Sequence, residues 1–324
     1  MAHTLKLIPV FFVILAALIR PAAGQAQSKS YEILPAPDLW YNDVDGIRVG
    51  VRLLGQVPGT FEDGPHRLDA GFWVGTWFPD LPVSYYISFT EPIPAWSEYG
   101  SEASIELISS VRTGYHVHGA AFNKRWQQGF DERRYREIRF LNTFEKRFDQ
   151  EYSAFPALWN TNSKFLSRLN LELSDDNPLG WYRISGSAAI QYLNEMYPVA
   201  SLSAIQNIPL NDSWGFRFRG FIGAAGTDAD TEYLYSRSTH PSVETLQSGI
   251  TRAKGTIPQP WMESGQFHLA GGANLRGYSE QDIASFGESS NPALYKSFAS
   301  VNAEFDYPNP FGMLFDRIPY LSEF

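Results

Sequence analysis

The sequence predicts an all-β protein, an antiparallel transmembrane β-barrel of outer-membrane type. Three observations lead there: apolar residues recur with period two, aromatic residues are abundant, and the N-terminus reads as an export signal. Successive side chains of a strand point to opposite faces, so period-two alternation marks one apolar and one polar face. The 324 residues include 9 Trp, 17 Tyr and 23 Phe, yet the mean hydropathy is only −0.26. A helical membrane protein would be far more apolar. A barrel, apolar on alternate residues alone, fits these values.

At the N-terminus, Lys6 supplies a positive charge, residues 7–19 form an apolar run, and Ala22-Ala23-Gly24 or Gly24-Gln25-Ala26 offers small residues for cleavage. A membrane-spanning helix needs roughly 20 apolar residues, and Arg20 closes the run before that. Residues 1–24 are therefore expected to be a signal peptide, with an uncleaved anchor as the alternative. Residues 25–45 are expected to form a short periplasmic lead, polar and proline-containing, before a barrel domain at 46–324. Cysteine is absent, which excludes disulfides and thiolate metal sites. The net charge of −9 argues against a nucleic-acid partner, because phosphate binding calls for a basic face.

The strands follow in order. In residues 47–53, Ile47, Val49, Val51 and Leu53 alternate with Arg48, Gly50 and Arg52. In residues 68–78, Leu68, Ala70, Phe72, Val74 and Phe78 oppose Asp69, Gly71 and Gly75. Residues 181–192 set Tyr182, Ile184, Gly186, Ala188, Ile190 and Tyr192 against Arg183, Ser185, Ser187 and Gln191. In residues 214–222, Trp214, Phe216, Phe218 and Ile222 oppose Arg217 and Arg219. Fainter alternation marks 83–90, 103–112, 115–124, 135–148, 165–173 and 199–207, and another strand is expected at 297–307. Residues 135–148 also carry a helical stripe (Ile138, Leu141, Phe144, Phe148), and strand neighbours decide for a strand.

That makes ten strands before a long loop-like segment and one after it. With a periplasmic N-terminus an even number would put the loop on the wrong side, so one strand is expected to be hidden or wrongly split, within 103–148. On this pattern Ile184, Ala188, Phe216 and Phe218 face lipid, while Arg48, Arg52, Arg183, Arg217 and Arg219 line the lumen. The competing architecture is a secreted β-sandwich, whose strands also alternate. Strand-like runs of nine to twelve residues and the recurring arginines speak against it.

Within the long segment, Gly271-Gly272-Ala273-Asn274-Leu275-Arg276-Gly277-Tyr278 describes a tight glycine-permitted tip carrying one long cation. It resembles the L-R-G-Y or V-R-G-F/Y lid-loop motif of the bacterial surface antigen family, outer-membrane barrels that insert or translocate proteins. Residues 300–311 are similar to the strand that follows the lid in those barrels, where an inward glutamate, here Glu304, precedes prolines at the strand end. More loosely, residues 39–46 resemble the start of barrels that follow periplasmic peptidase domains, but no His-Glu-x-x-His motif accompanies them.

The resemblance implies a lid loop at about 226–294 folded into the lumen, with Gly271, Gly272, Leu275, Arg276, Gly277 and Tyr278 at its tip and Glu304 as the partner of Arg276. It implies outer-membrane lipid and unfolded or nascent polypeptides as partners, no cofactor and no enzymatic activity. The resemblance implies a ring of about 16 strands, so either further strands follow Phe324, which is the expectation, or the ring closes with fewer. The lead is too short for the family's periplasmic transport-associated domains. A passive pore or structural barrel plugged by its lid is the alternative, and a soluble sandwich acting as a binding module is another.

Other chemistry is thinly represented. No Gly-x-Ser-x-Gly elbow and no phosphate loop occur. His116 and His118 form a lone His-x-His pair, expected to face a wet lumen rather than a metal. Asp228, Asp230 and Glu232 alternate and could bind calcium weakly, although a solvated acidic loop is the expectation.

Overall fold

The structure is a computed structural model that describes residues 31–57, 66–127, 129, 131–152, 160–211, 213–235 and 294–307. It contains twelve strands: β1 (Glu32–Asn42), β2 (Gly46–Gln56), β3 (Arg67–Gly75), β4 (Val83–Pro92), β5 (Ser101–Arg112) and β6 (Tyr115–Gln127), followed by β7 (Tyr135–Arg147), β8 (Lys164–Asn177), β9 (Gly180–Gln191), β10 (Tyr197–Pro209), β11 (Gly215–Ala225) and β12 (Ser297–Asp306). Each strand pairs antiparallel with the next in one sheet, ordered as in the sequence. Among the described residues β1 and β12 do not pair with each other, so the sheet is open there.

The hidden strand is β1, not one within 103–148. Pro35 and Pro37 disguise it, because proline lacks the N–H that a ladder needs. Here they lie opposite Leu53 and Val51 on the edge strand of the sheet, where a missing donor disrupts no second ladder. The expected periplasmic lead at 25–45 therefore contains a strand. Eleven strands precede the β11–β12 connection, and the odd count puts that connection at the end of the sheet opposite to where β1 begins. Residues 135–147 pair on both sides along their length, which excludes the helical alternative.

Register converts period two into faces, because directly paired residues point the same way. One rung runs Leu173–Ile184–Ala204–Gly220–Val301 and is apolar throughout. The adjacent rung runs Ser174–Arg183–Ile205–Arg219–Asn302 and carries the polar groups. The sheet also curls toward its polar face. The Tyr152 hydroxyl, after β7, donates to Asp45, before β2, at 2.8 Å. In a flat sheet those strands would stand about 24 Å apart at the usual interstrand spacing.

Candidate functional site

The apolar face is exposed and bounded by aromatic residues at both ends. Ile47, Val49, Val74, Ile105, Phe140, Leu171, Ile184, Leu202, Phe218 and Val301 are open to the surroundings. At the end bearing the β1–β2 turn, Tyr41 meets Trp77 edge-on at 6.0 Å and Tyr192 packs on Phe165 at 5.1 Å. At the other end Trp96 meets Phe122 at 5.8 Å, and Trp214 packs on Phe305 at 5.3 Å. Tyr182 on β9 and Tyr192, the residue just after it, lie about 34 Å apart along the chain, or about 26 Å in height at a 40° tilt. That approximates the roughly 25 Å apolar band of an outer-membrane barrel.

His116 and His118 belong to this apolar face, which corrects the expectation that they face a wet lumen. Their rung partners are Lys146 and Phe144, and Ala120 and Phe122 continue the same face. Desolvation is partly offset locally. Ser109 hydrogen-bonds His118 Nδ1 at 3.0 Å and Tyr85 at 3.1 Å, and His116 packs on Phe148 at 4.4 Å.

The polar face is built from ion pairs between neighbouring and next-neighbouring strands. Arg67 clasps Glu102 through two hydrogen bonds of 2.9 and 2.6 Å, reaching from β3 to β5. Arg139 donates to Glu106 at 2.6 Å across β6, and Ser88 donates to the same carboxylate. Arg125 and Glu137 pair at 3.1 Å. At the end carrying the β1–β2 turn, Arg48 is buried against Asp45 at 2.6 Å, donates to Ser84, and stacks over Trp40. Asn42 and Tyr152 also donate to Asp45, so that carboxylate is fully engaged.

The first residues of the long β11–β12 connection fold back over this face as a strap. Asp230 accepts from the Tyr197 hydroxyl at 2.8 Å and the Asn160 amide at 2.7 Å. Glu232 receives Lys164 in a buried ion pair, and Asp230 lies 3.5 Å from the same ammonium. Burial pushes the Glu232 carboxyl upward, while the Lys164 ammonium pulls it back. Tyr233 packs with Tyr115, Leu166 and Tyr197. Tyr235 lies over Gly223, where a Cβ would come within 2.5 Å of its ring, and donates to the Ala200 carbonyl at 2.9 Å. Backbone bonds between Tyr235 and Tyr295 cinch the two ends of the connection together. The solvated acidic loop expected at 228–232 is thus corrected: Asp228 is exposed, but Asp230 is a partly buried acceptor and Glu232 a buried one. No group of three or more metal-ligating side chains occurs among the described residues.

Register places Arg48, Arg52, Arg183, Arg217 and Arg219 on one face together with Glu304. They do not form one cluster. Arg48 is sealed in its network, Arg52 stands 3.6 Å from Asp69, and Arg183 lies 3.7 Å from Glu172. Glu304 faces Arg217 at 3.8 Å. Gly271, Gly272, Leu275, Arg276, Gly277 and Tyr278 lie outside the described residues, as do residues 1–24, where a signal peptide is expected. Sequence reasoning passed over Lys164 and Tyr197, which hold the strap, and Asp45, which gathers Asn42, Arg48 and Tyr152. Lys164 was within reach, since it alternates in phase with Arg168 and Asn170 at the start of β8. Comparison with protein-family models and with curated proteins yields no match.

Proposed function

We propose that the chain is a membrane-spanning barrel of the outer membrane whose interior is crossed by the first residues of the β11–β12 connection, up to Tyr235. The observation that carries this reading is the partition of one curled sheet into an exposed apolar face with aromatic ends and an ion-paired polar face crossed by a strap. In a bilayer every backbone polar group must be bonded, which a ring of strands achieves, and the outward side chains must tolerate hydrocarbon. Such a barrel with an inward-folded connection agrees with the resemblance to surface antigen barrels. On that resemblance its role is insertion of proteins into, or their translocation across, the outer membrane. A gated pore for solutes is the second reading, favoured by the small, hydroxyl-bearing inner positions of β9 and β10 (Ser185, Ser187, Ser201, Ser203).

Expression with the native N-terminus tests the location. The protein is expected in the outer membrane, resistant to carbonate extraction, and faster-migrating on detergent gels when unheated. Recovery from the soluble periplasm would overturn the membrane reading. Depletion separates the two roles: a polypeptide-handling barrel lowers the amounts of other outer-membrane proteins, whereas a solute pore leaves them unchanged and conducts in planar bilayers.

A further inference from the structure

Arg168 stands within β8 on the polar face, only 3% exposed. Its rung partners are Leu141 on β7 and Ala189 on β9, neither with an acceptor side chain. Among the described residues it has no hydrogen-bond or ion-pair partner, and its Nε is buried unsatisfied. Arg48 and Lys164, buried on the same face, are differently placed, since Asp45 neutralises one and Glu232 the other. A guanidinium withdrawn from water without an anion is costly, so a group in this state calls for a ligand.

The surroundings suit an oxyanion. The next inward residue, Asn170, stands in a rung between Arg139, already bonded to Glu106, and Ser187, which continues to Ser201. Ser187 already donates to Asn170 at 2.8 Å, which orients that amide. The following rung holds Glu172, which accepts from Tyr135 and lies 3.7 Å from Arg183, then Ser185 and Ser203, so on β9 and β10 the wall near Arg168 is made of short side chains that leave room and offer hydroxyls. Leu166, two residues before Arg168, packs under Tyr233 and Leu294, which places the strap at one end of this space. A planar guanidinium binds carboxylate or phosphate through two parallel hydrogen bonds, and hydroxyl groups complete the shell.

We infer that Arg168 and the Asn170–Ser187–Ser201 rung form a binding site for a small soluble anion bearing a carboxylate or phosphate group. The inference rests on reading the polar face as the barrel interior. The full chain, folded in detergent micelles, is titrated with sodium phosphate or sodium acetate against sodium chloride at constant ionic strength, and its unfolding temperature is followed.

Phosphate, acetate or both should raise that temperature saturably in the wild type. Arg168→Gln should weaken the midpoint about ten- to hundredfold, the loss expected for a charge-assisted hydrogen bond. Arg168→Lys should retain part of the response, and Arg136→Gln, on the opposite face, all of it. Should Arg168→Gln fail to fold, Ser187→Ala with Ser201→Ala serves instead, expected to weaken binding about tenfold. A wild type indifferent to both anions, or variants that respond as the wild type does, overturns the site. Heat-modifiable migration of the same samples is scored separately: a phosphate response without it supports the site while refuting the barrel.

Discussion

Lys164 shows how a single buried cation organises this molecule. It neutralises Glu232, and through that pair the strap is held to β8. Lys164→Met strands a buried carboxylate, and breaking such a pair costs about 3–5 kcal/mol. The cost should depend on pH. Without Lys164 the folded-state affinity of Glu232 for a proton rises further above its unfolded value, so the folded state binds more protons and stability falls as pH rises. The variant should therefore be hurt more at pH 8 than near pH 5, because both lie above the ordinary carboxylate value of about 4.3, where the unfolded chain has already given up this proton while the buried carboxyl still favours holding it. Unfolding in detergent at the two pH values measures this, and an equal loss at both would refute it. Replacing both partners, Lys164→Met with Glu232→Leu, should recover most of the stability. A second residue-scale expectation concerns the β5–β6 turn, where Thr113 and Gly114 both have positive φ, as a two-residue hairpin of type I′ requires. A Cβ on Gly114 would lie 2.3 Å from the Asp149 carbonyl, so Gly114→Ala should destabilise by about 1–3 kcal/mol in the same unfolding measurement.

The strand is the scale at which the facing of side chains can be tested. On β9, Ala188 pairs outward with Leu169 and Ala200, and Ser187 pairs inward with Asn170 and Ser201. On the proposed membrane reading an arginine at Ala188 would enter hydrocarbon, at a cost of about 2–4 kcal/mol near mid-membrane. At Ser187 it would meet a polar, roomy wall and cost little. Folding titrations into lipid vesicles measure both substitutions, and equal losses would show that the faces are wrongly assigned. β1 belongs to the same scale. Its outward positions hold Pro35 and Pro37, so a period-two search for branched and aromatic residues passes over it, although its register with β2 is unbroken.

Across the whole molecule polar networks stand at both ends of the sheet, with Arg67–Glu102 and Arg125–Glu137 at one and the Asp45 network at the end that carries the β1–β2 turn. Asp45 joins Asn42, Arg48 and Tyr152, and so couples the first hairpin to the segment after β7. Tyr152→Phe removes one bond to that carboxylate and leaves Arg48 in place. A loss of about 1–2 kcal/mol is expected, with heat-modifiable migration retained at a lower transition temperature. An unchanged transition would mean that the contact does not help to hold the curl.

What the sequence determined by itself was the set of faces. Alternation is a local property of a strand, so the side to which Arg183, Ile184, Arg217 and Phe218 belong could be read without any partner, and register agrees with it. The all-β class followed from the same signal. The pairing of Lys164 with Glu232, of Tyr152 with Asp45, and the isolation of Arg168 were decided only by tertiary structure. Those relations join residues tens of positions apart, brought together by the curl of the sheet and the return of the connection. His116 and His118 were misjudged for a related reason: polarity suggested the wet side, but the position of a residue along its ladder sets the face it takes.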